Sequence, residues 1–205
     1  MSPPDIEPRS AEIESLLDAA ESCLQRFGLA KTTVEDVAQA AGVSRATVYR
    51  QVGNRDALLL AVAVRDAERT AADALAHLRG FDWIGDWIVE GVLFCLREIP
   101  RRSVLGALVA PQEVGAASRM IFTSSRLIEI GSEILRPVFE RARADGLIRE
   151  DVELDAFMEW ILRVLLSFLA SPGPKDRSEE DVRRLLRQML LPAVLAGGDL
   201  DARPA

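Results

Sequence analysis

Thr33-Val-Glu-Asp-Val-Ala-Gln-Ala-Ala-Gly-Val-Ser-Arg-Ala-Thr-Val-Tyr-Arg50 is the stretch whose reading decides the fold. It describes two short helices joined by a tight glycine turn. Thr33 caps the first helix, and Asp36 three residues on completes a variant capping box, with Asp where Glu or Gln is usual. Val34, Val37, Ala38 and Ala41 fall on one face at helical spacing. Gly42 adopts a left-handed conformation without steric cost, so the helix ends there and the chain turns. Val43 fills the angle between the helices. Ser44 caps the second helix, and Val48 packs back on the first. Ala38 lies at the crossing, where a larger side chain would wedge the helices apart. Arg45, Ala46, Thr47, Tyr49 and Arg50 remain on the outer face of the second helix. Such residues contact base edges and phosphates, as a helix entering a DNA groove must. The plainer alternative is an ordinary helical hairpin inside an all-α protein. It would not require so many separate features to coincide in one short stretch.

The flanks extend the pattern. Upstream, Ile13, Leu16, Leu17, Ala20, Leu24 and Phe27 form an amphipathic helix closed by Gly28. Downstream, Gln51-Val52-Gly53 is a short break, and Asn54 caps a new helix. From Ala19 to Leu60 the chain resembles the tetracycline-repressor (TetR) family of bacterial transcriptional regulators. The resemblance rests on Phe27-Gly28, Thr32-Thr33-Val34, Ala38, Gly42-Val43-Ser44, Thr47-Val48-Tyr49 and Asn54-Arg55-Asp56-Ala57-Leu58. The family usually has an aromatic residue or His at Gln51, Phe at Val52 and Lys at Arg55. Val52 keeps the apolar plug and Arg55 keeps the charge.

The resemblance implies an all-α protein. An N-terminal three-helix helix-turn-helix DNA-binding domain would be joined by a long helix to a helical ligand-binding and dimerisation domain. The expected divisions are a disordered arm over 1–10, the DNA-binding domain over 11–55, the body over 56–196 and a flexible tail over 197–205. Composition agrees, because 49% of the 205 residues are hydrophobic and Ala, Leu, Arg and Glu dominate. The net charge of −7 looks wrong for a DNA-binding protein. Salt screening confines the interaction to about 10 Å, so local charge decides. From Arg26 to Arg55 the cations are Arg26, Lys31, Arg45, Arg50 and Arg55 against Glu35 and Asp36, a local balance of +3.

Arg45 and Thr47 are the candidates for base readout: Arg45 as a bidentate partner of guanine, Thr47 through its methyl or hydroxyl. Thr33, Ser44, Tyr49, Arg50 and Arg55 suit phosphates, with Ala46 between them on the same face. The resemblance supports phosphate contacts at Thr33, Tyr49 and Arg55 in particular. In the body, Trp83, Trp87, Phe94, Met120, Phe122, Phe157 and Trp160 are candidate pocket residues, although plain core is the commoner role of such side chains. The helix over 153–170 is apolar nearly all round. It and the last helix supply a candidate dimer face: Phe157, Ile161, Val164, Leu165, Phe168, Val182, Leu185, Leu186 and Met189. Helices are also expected from Asn54 to about Arg79, from an Asp82 cap to about Arg97, near Ser103 to Ala110, from about Ala116 to Ala144 with a kink or boundary at Pro137, and from Ser178 to about Leu195.

These features point to a cytoplasmic, homodimeric regulator that binds a palindromic operator in double-stranded DNA. It would act as a repressor released by a small apolar or amphipathic effector. No cofactor, metal site or membrane span is expected. His77 is the only histidine, and Cys23 and Cys95 read as buried reduced thiols. The alternative is an all-helical body that is an enzyme or a protein-interaction module without operator binding. The sequence offers no serine elbow, no paired His and Glu at metal spacing and no phosphate-cradling glycine loop.

Overall fold

The computed structural model describes residues 11–110, 115, 124–170 and 177–197. Its helices are α1 Ala11–Phe27, α2 Val34–Ala40, α3 Arg45–Gln51, α4 Arg55–Leu78, α5 Ile84–Glu98, α6 Ser103–Leu108, α7 Ser125–Ala144, α8 Leu154–Ala170 and α9 Glu179–Met189. Short 3-10 turns cover Ile99–Arg101 and Leu191–Ala193. One antiparallel bridge, Ile148 with Leu195, ties the segment after α7 to the end of the described chain. The all-α architecture is as the sequence implies.

Five of the described helices, α2, α3, α4, α7 and α9, start where a capping side chain sits one residue ahead of them. Thr33 and Asp36 form a reciprocal capping box on α2, Ser44 accepts from the Thr47 N–H of α3, and Asn54 accepts from the Ala57 N–H of α4. Gly42 takes φ +68°, the left-handed geometry the α2–α3 turn demands.

Other boundaries depart from expectation. Trp83, not Asp82, holds the cap position of α5 and makes no side-chain cap bond. The Trp87 indole N–H instead donates to the Phe81 carbonyl at 2.6 Å, closing this corner from inside the helix. Of the kink or boundary expected at Pro137, no boundary forms: Pro137 lies within α7, which runs on to Ala144 as expected. The last helix stops at Met189, because Pro192 cannot supply a helical N–H and tightens the chain into the 3-10 turn.

Among the described residues two large hydrophobic cores form, with a small third cluster of Val64, Leu127 and Ile130. The head core joins Leu16, Leu17, Ala20, Val37, Val48 and Leu58 with Val104 and Leu108 of α6. Val37 and Val48 are 0% exposed, and burying each contributes roughly 1.5–3 kcal/mol. The body core gathers Trp83, Trp87, Phe139, Phe157 and Leu191 among others. α4 serves both: Leu58, Leu59, Val62 and Ala63 lie in the head core and Leu78 in the body core. Arg183 of α9 donates to Glu90 of α5 at 2.7 Å and fixes the last helix on the body.

Candidate nucleic-acid interface and body cavity

Because Val48 is turned inward, the rest of α3 is free to face outward. Ser44, Arg45, Ala46, Tyr49 and Arg50 are exposed, with Tyr49 at 48%. Arg45 Nη1 rests on the Glu35 carboxylate of α2 at 3.2 Å. Exposed ion pairs of this kind contribute about 0–1 kcal/mol, so Arg45 can exchange this partner for a base at little cost. Glu35 was not anticipated as a functional residue, and nothing in its own spacing would have revealed it. The Thr47 hydroxyl lies 2.9 Å from Ser44 Oγ. Its oxygen therefore has a partner within the head. Thr33 shares its hydroxyl with Asp36 at 2.6 Å, and these bonds hold the Asp36 carboxyl below its ordinary range.

Arg55 is placed differently from the other expected phosphate residues. Its Nε donates to the Thr32 carbonyl at 2.8 Å, and its Nη2 donates to the Leu29 carbonyl. The side chain thus clamps the α1–α2 loop from the start of α4. Gln51, where the resemblance is weakest, donates to Glu12 at 2.7 Å and ties the end of α3 to the start of α1.

A polar cluster joins the head to the long helix. Arg65 of α4 is buried and reaches three carboxylates of α1: Glu14 at 3.1 Å, Asp18 at 2.7 Å and Glu21 at 2.8 Å. Ser103 of α6 donates to Glu21 at 2.6 Å. Burial pushes the Glu21 carboxyl up, but the bonds from Ser103 and Arg69 and the neighbouring guanidinium charges outweigh it, and the net shift is downward. The Asp66 carboxylate accepts from the Val104 and Leu105 N–H groups at 3.3 and 3.0 Å. α6 is therefore held by side chains from both α1 and α4.

The body contains a cavity of about 170 Å³ bounded by α4, α5, α7 and α8, with Ala74, Trp87, Gly91, Cys95, Leu135 and Met158 in its wall. A second lobe of about 100 Å³ adjoins it near Leu108, Val109 and Leu169. Of the aromatic and Met residues singled out from the sequence, Trp87 lines the cavity. Trp83 and Phe157 are buried in the body core, Phe94 stacks on His77 with ring centroids 5.2 Å apart, and Trp160 is 49% exposed. Met120 and Phe122 lie outside the described residues. The cavity owes its space to small side chains, notably Ala67, Ala71 and Ala74 on α4. Their i, i+4, i+7 spacing was the available signal. Burial pushes the Cys95 thiol up to about 11, which keeps it neutral.

The expected dimer residues divide as well. Phe157, Ile161, Leu165 and Leu186 are covered by the chain's own core, because α5 and α7 pack on that side of α8. Val164, Phe168, Val182 and Leu185 are half-buried, and Met189 is 70% exposed. Among the described residues, no group of His, Cys, Asp and Glu could hold a metal ion, and no helix is long and apolar enough to cross a membrane.

A capped helix pair with an outward cationic face, carried on a helical body, defines a helix-turn-helix DNA-binding protein. Residues 16–62 match the family model for bacterial regulatory proteins of the tetR family. The HTH-type transcriptional repressor Rv1474c of Mycobacterium tuberculosis is 34% identical, over 82% of this chain and 87% of its own length. The chain belongs to the tetR family of transcriptional regulators, which are not enzymes. Among solved structures, the TetR family repressor AlkX from Dietzia sp. strain DQ12-45-1b, implicated in biodegradation of n-alkanes, is similar at TM-score 0.64 and 26% identity, covering 91% of this chain and 98% of that one. RolR, solved with resorcinol, shares the fold at TM-score 0.69 and 18% identity, covering 94% of each chain.

Proposed function

We propose that this chain is a homodimeric repressor, released from a palindromic operator when a small apolar molecule fills the body cavity. The observation that carries the reading is the double membership of α6. Val104 and Leu108 belong to the head core, while Leu105, between them, lines both cavity lobes. A ligand pressing on Leu105 shifts α6, and the Asp66 and Glu21 bonds pass that shift to α4 and α1. The change needed is small, because a coupling of about 1–3 kcal/mol alters DNA affinity by one to two orders of magnitude. Arg45, with Thr47 beside it, reads bases; Thr33, Ser44, Tyr49 and Arg50 meet phosphates. Trp160, Val164, Phe168 and Met189 supply the apolar surface that a second copy covers. The repressor Rv1474c and the repressor AlkX support the direction of regulation.

Selection of bound duplexes from a random pool, using the full chain, tests the reading. It should return a two-fold symmetric site whose half-sites are about 10 base pairs apart, centre to centre, or a multiple of that spacing. Recovery of no site, or of a single unrepeated half-site, would overturn it.

A further inference from the structure

We propose that the effector is an uncharged, elongated hydrocarbon that threads both lobes of the body cavity, and that only chains long enough to reach the second lobe release DNA. This rests on the reading of the body as an effector-binding unit. Among the described residues of the larger lobe, the polar side-chain groups are the Thr70 hydroxyl, the Cys95 thiol and the Trp87 indole N–H, the last already donating to the Phe81 carbonyl. The Thr70 hydroxyl donates to the Asp66 carbonyl of its own helix at 2.7 Å, and the Cys95 thiol is neutral. The described wall of the smaller lobe is Ala, Ile, Leu and Val throughout. An ionised carboxylate or phosphate placed there would lose its hydration with no counter-charge among the described lining residues to replace it.

A dry apolar cavity of about 150 Å³ is enough for a benzene-sized molecule, so the lobe of about 170 Å³ alone holds a ring or a short chain. The lobe of about 100 Å³ is reached across a common wall formed by Ala67, Ile99, Leu105, Leu127, Leu162 and Leu165. The four leucines of this wall are branched at Cγ and turn aside more easily than backbone does. Met158 adds adaptability at the other end. It lies so close over Gly131 that a Cβ there would stand 2.7 Å from its Sδ, and its unbranched thioether can refit around a chain of variable length. Leu105 stands in the partition and on α6. A molecule confined to the larger lobe can rest against Leu105 without displacing it, whereas one that crosses the partition must push Leu105 aside and so moves α6.

Calorimetry of the full-length protein with 1-alkanols of four to ten carbons, and with alkanoates of equal length at pH 7.5, tests the proposal. Operator binding is followed in parallel. Alkanol affinity should rise about fourfold per added methylene, alkanoates of equal length should bind at least tenfold more weakly, and operator release should begin only above a threshold length. Leu169→Phe, which narrows the second lobe, should end the rise at a shorter chain and leave butanol binding unchanged. Ala67→Leu, in the shared wall, should likewise end the rise at a shorter chain if the Leu169 variant folds poorly. Alkanoates binding as tightly as alkanols, or variants with the wild-type length profile, would overturn the proposal. Toluene binding without any alkanol binding would remove this inference and leave the effector reading intact. No binding by toluene or alkanols would remove both.

Discussion

The guanidinium of Arg55 donates to the carbonyls of Thr32 and Leu29, so its charge is used to hold a loop before any DNA arrives. Arg45 carries the same charge on an exposed helix face, where its partner is one exposed carboxylate. The two arginines should therefore fail differently. Arg55→Ala leaves two loop carbonyls without their donor, and hydrogen bonds from charged groups contribute about 1.5–3 kcal/mol. Denaturant unfolding of the full chain should show a loss of that order. Arg55→Lys should recover only part of it, because a single ammonium cannot span both carbonyls as the guanidinium fork does. Unchanged stability, with weaker binding to every DNA sequence and a shallower salt dependence, would return Arg55 to the phosphate contacts that the sequence first suggested.

At the scale of elements, the junction of α1, α4 and α6 governs how the head is held. Glu21 sits at its centre, bonded to Arg65, Arg69 and Ser103. Its carboxyl is held below the ordinary value in the folded chain, so the folded state favours its ionised form. The stabilisation is therefore complete above the unfolded carboxylate range, and it is lost as pH falls through the lowered folded value. Glu21→Gln should be less stable than the wild type at pH 7, by about 1–3 kcal/mol, and the two should converge under acid. A stability difference that stays constant from pH 7 to pH 3 would show that packing, not charge, does the work. None of this junction was visible in the sequence. The capped helix pair was legible because each of its requirements is local: a cap at Thr33, a turn at Gly42, a second cap at Ser44. The junction depends on side chains 82 residues apart, as with Ser103 and Glu21. The same holds for the cavity. Aromatic residues drew attention by size, yet Phe157 fills core, and space exists where Ala67, Ala71 and Ala74 are small. On α8, periodicity marked apolar faces correctly but could not say which was already covered. The chain's own helices cover Phe157, Ile161 and Leu165, while Trp160 stays exposed.

For the whole molecule, a head with local positive charge is carried on a chain whose net charge is −7. In the proposed reading the acidic remainder would disfavour non-specific DNA contact and leave the face of α3 as the place where binding concentrates. Two copies joined through the Trp160 and Met189 surface would present two such faces, and a paired half-site is how a reading helix of seven residues gains specificity. Methylation interference on the selected duplex examines both features together, since methylated guanine N7 blocks a major-groove arginine. The wild-type protein should show interference at two symmetry-related guanines, one helical turn or a multiple apart, and Arg45→Ala should lose interference at both while still binding DNA. Interference at guanines that is unchanged in Arg45→Ala, or absent from the wild type, would contradict the account.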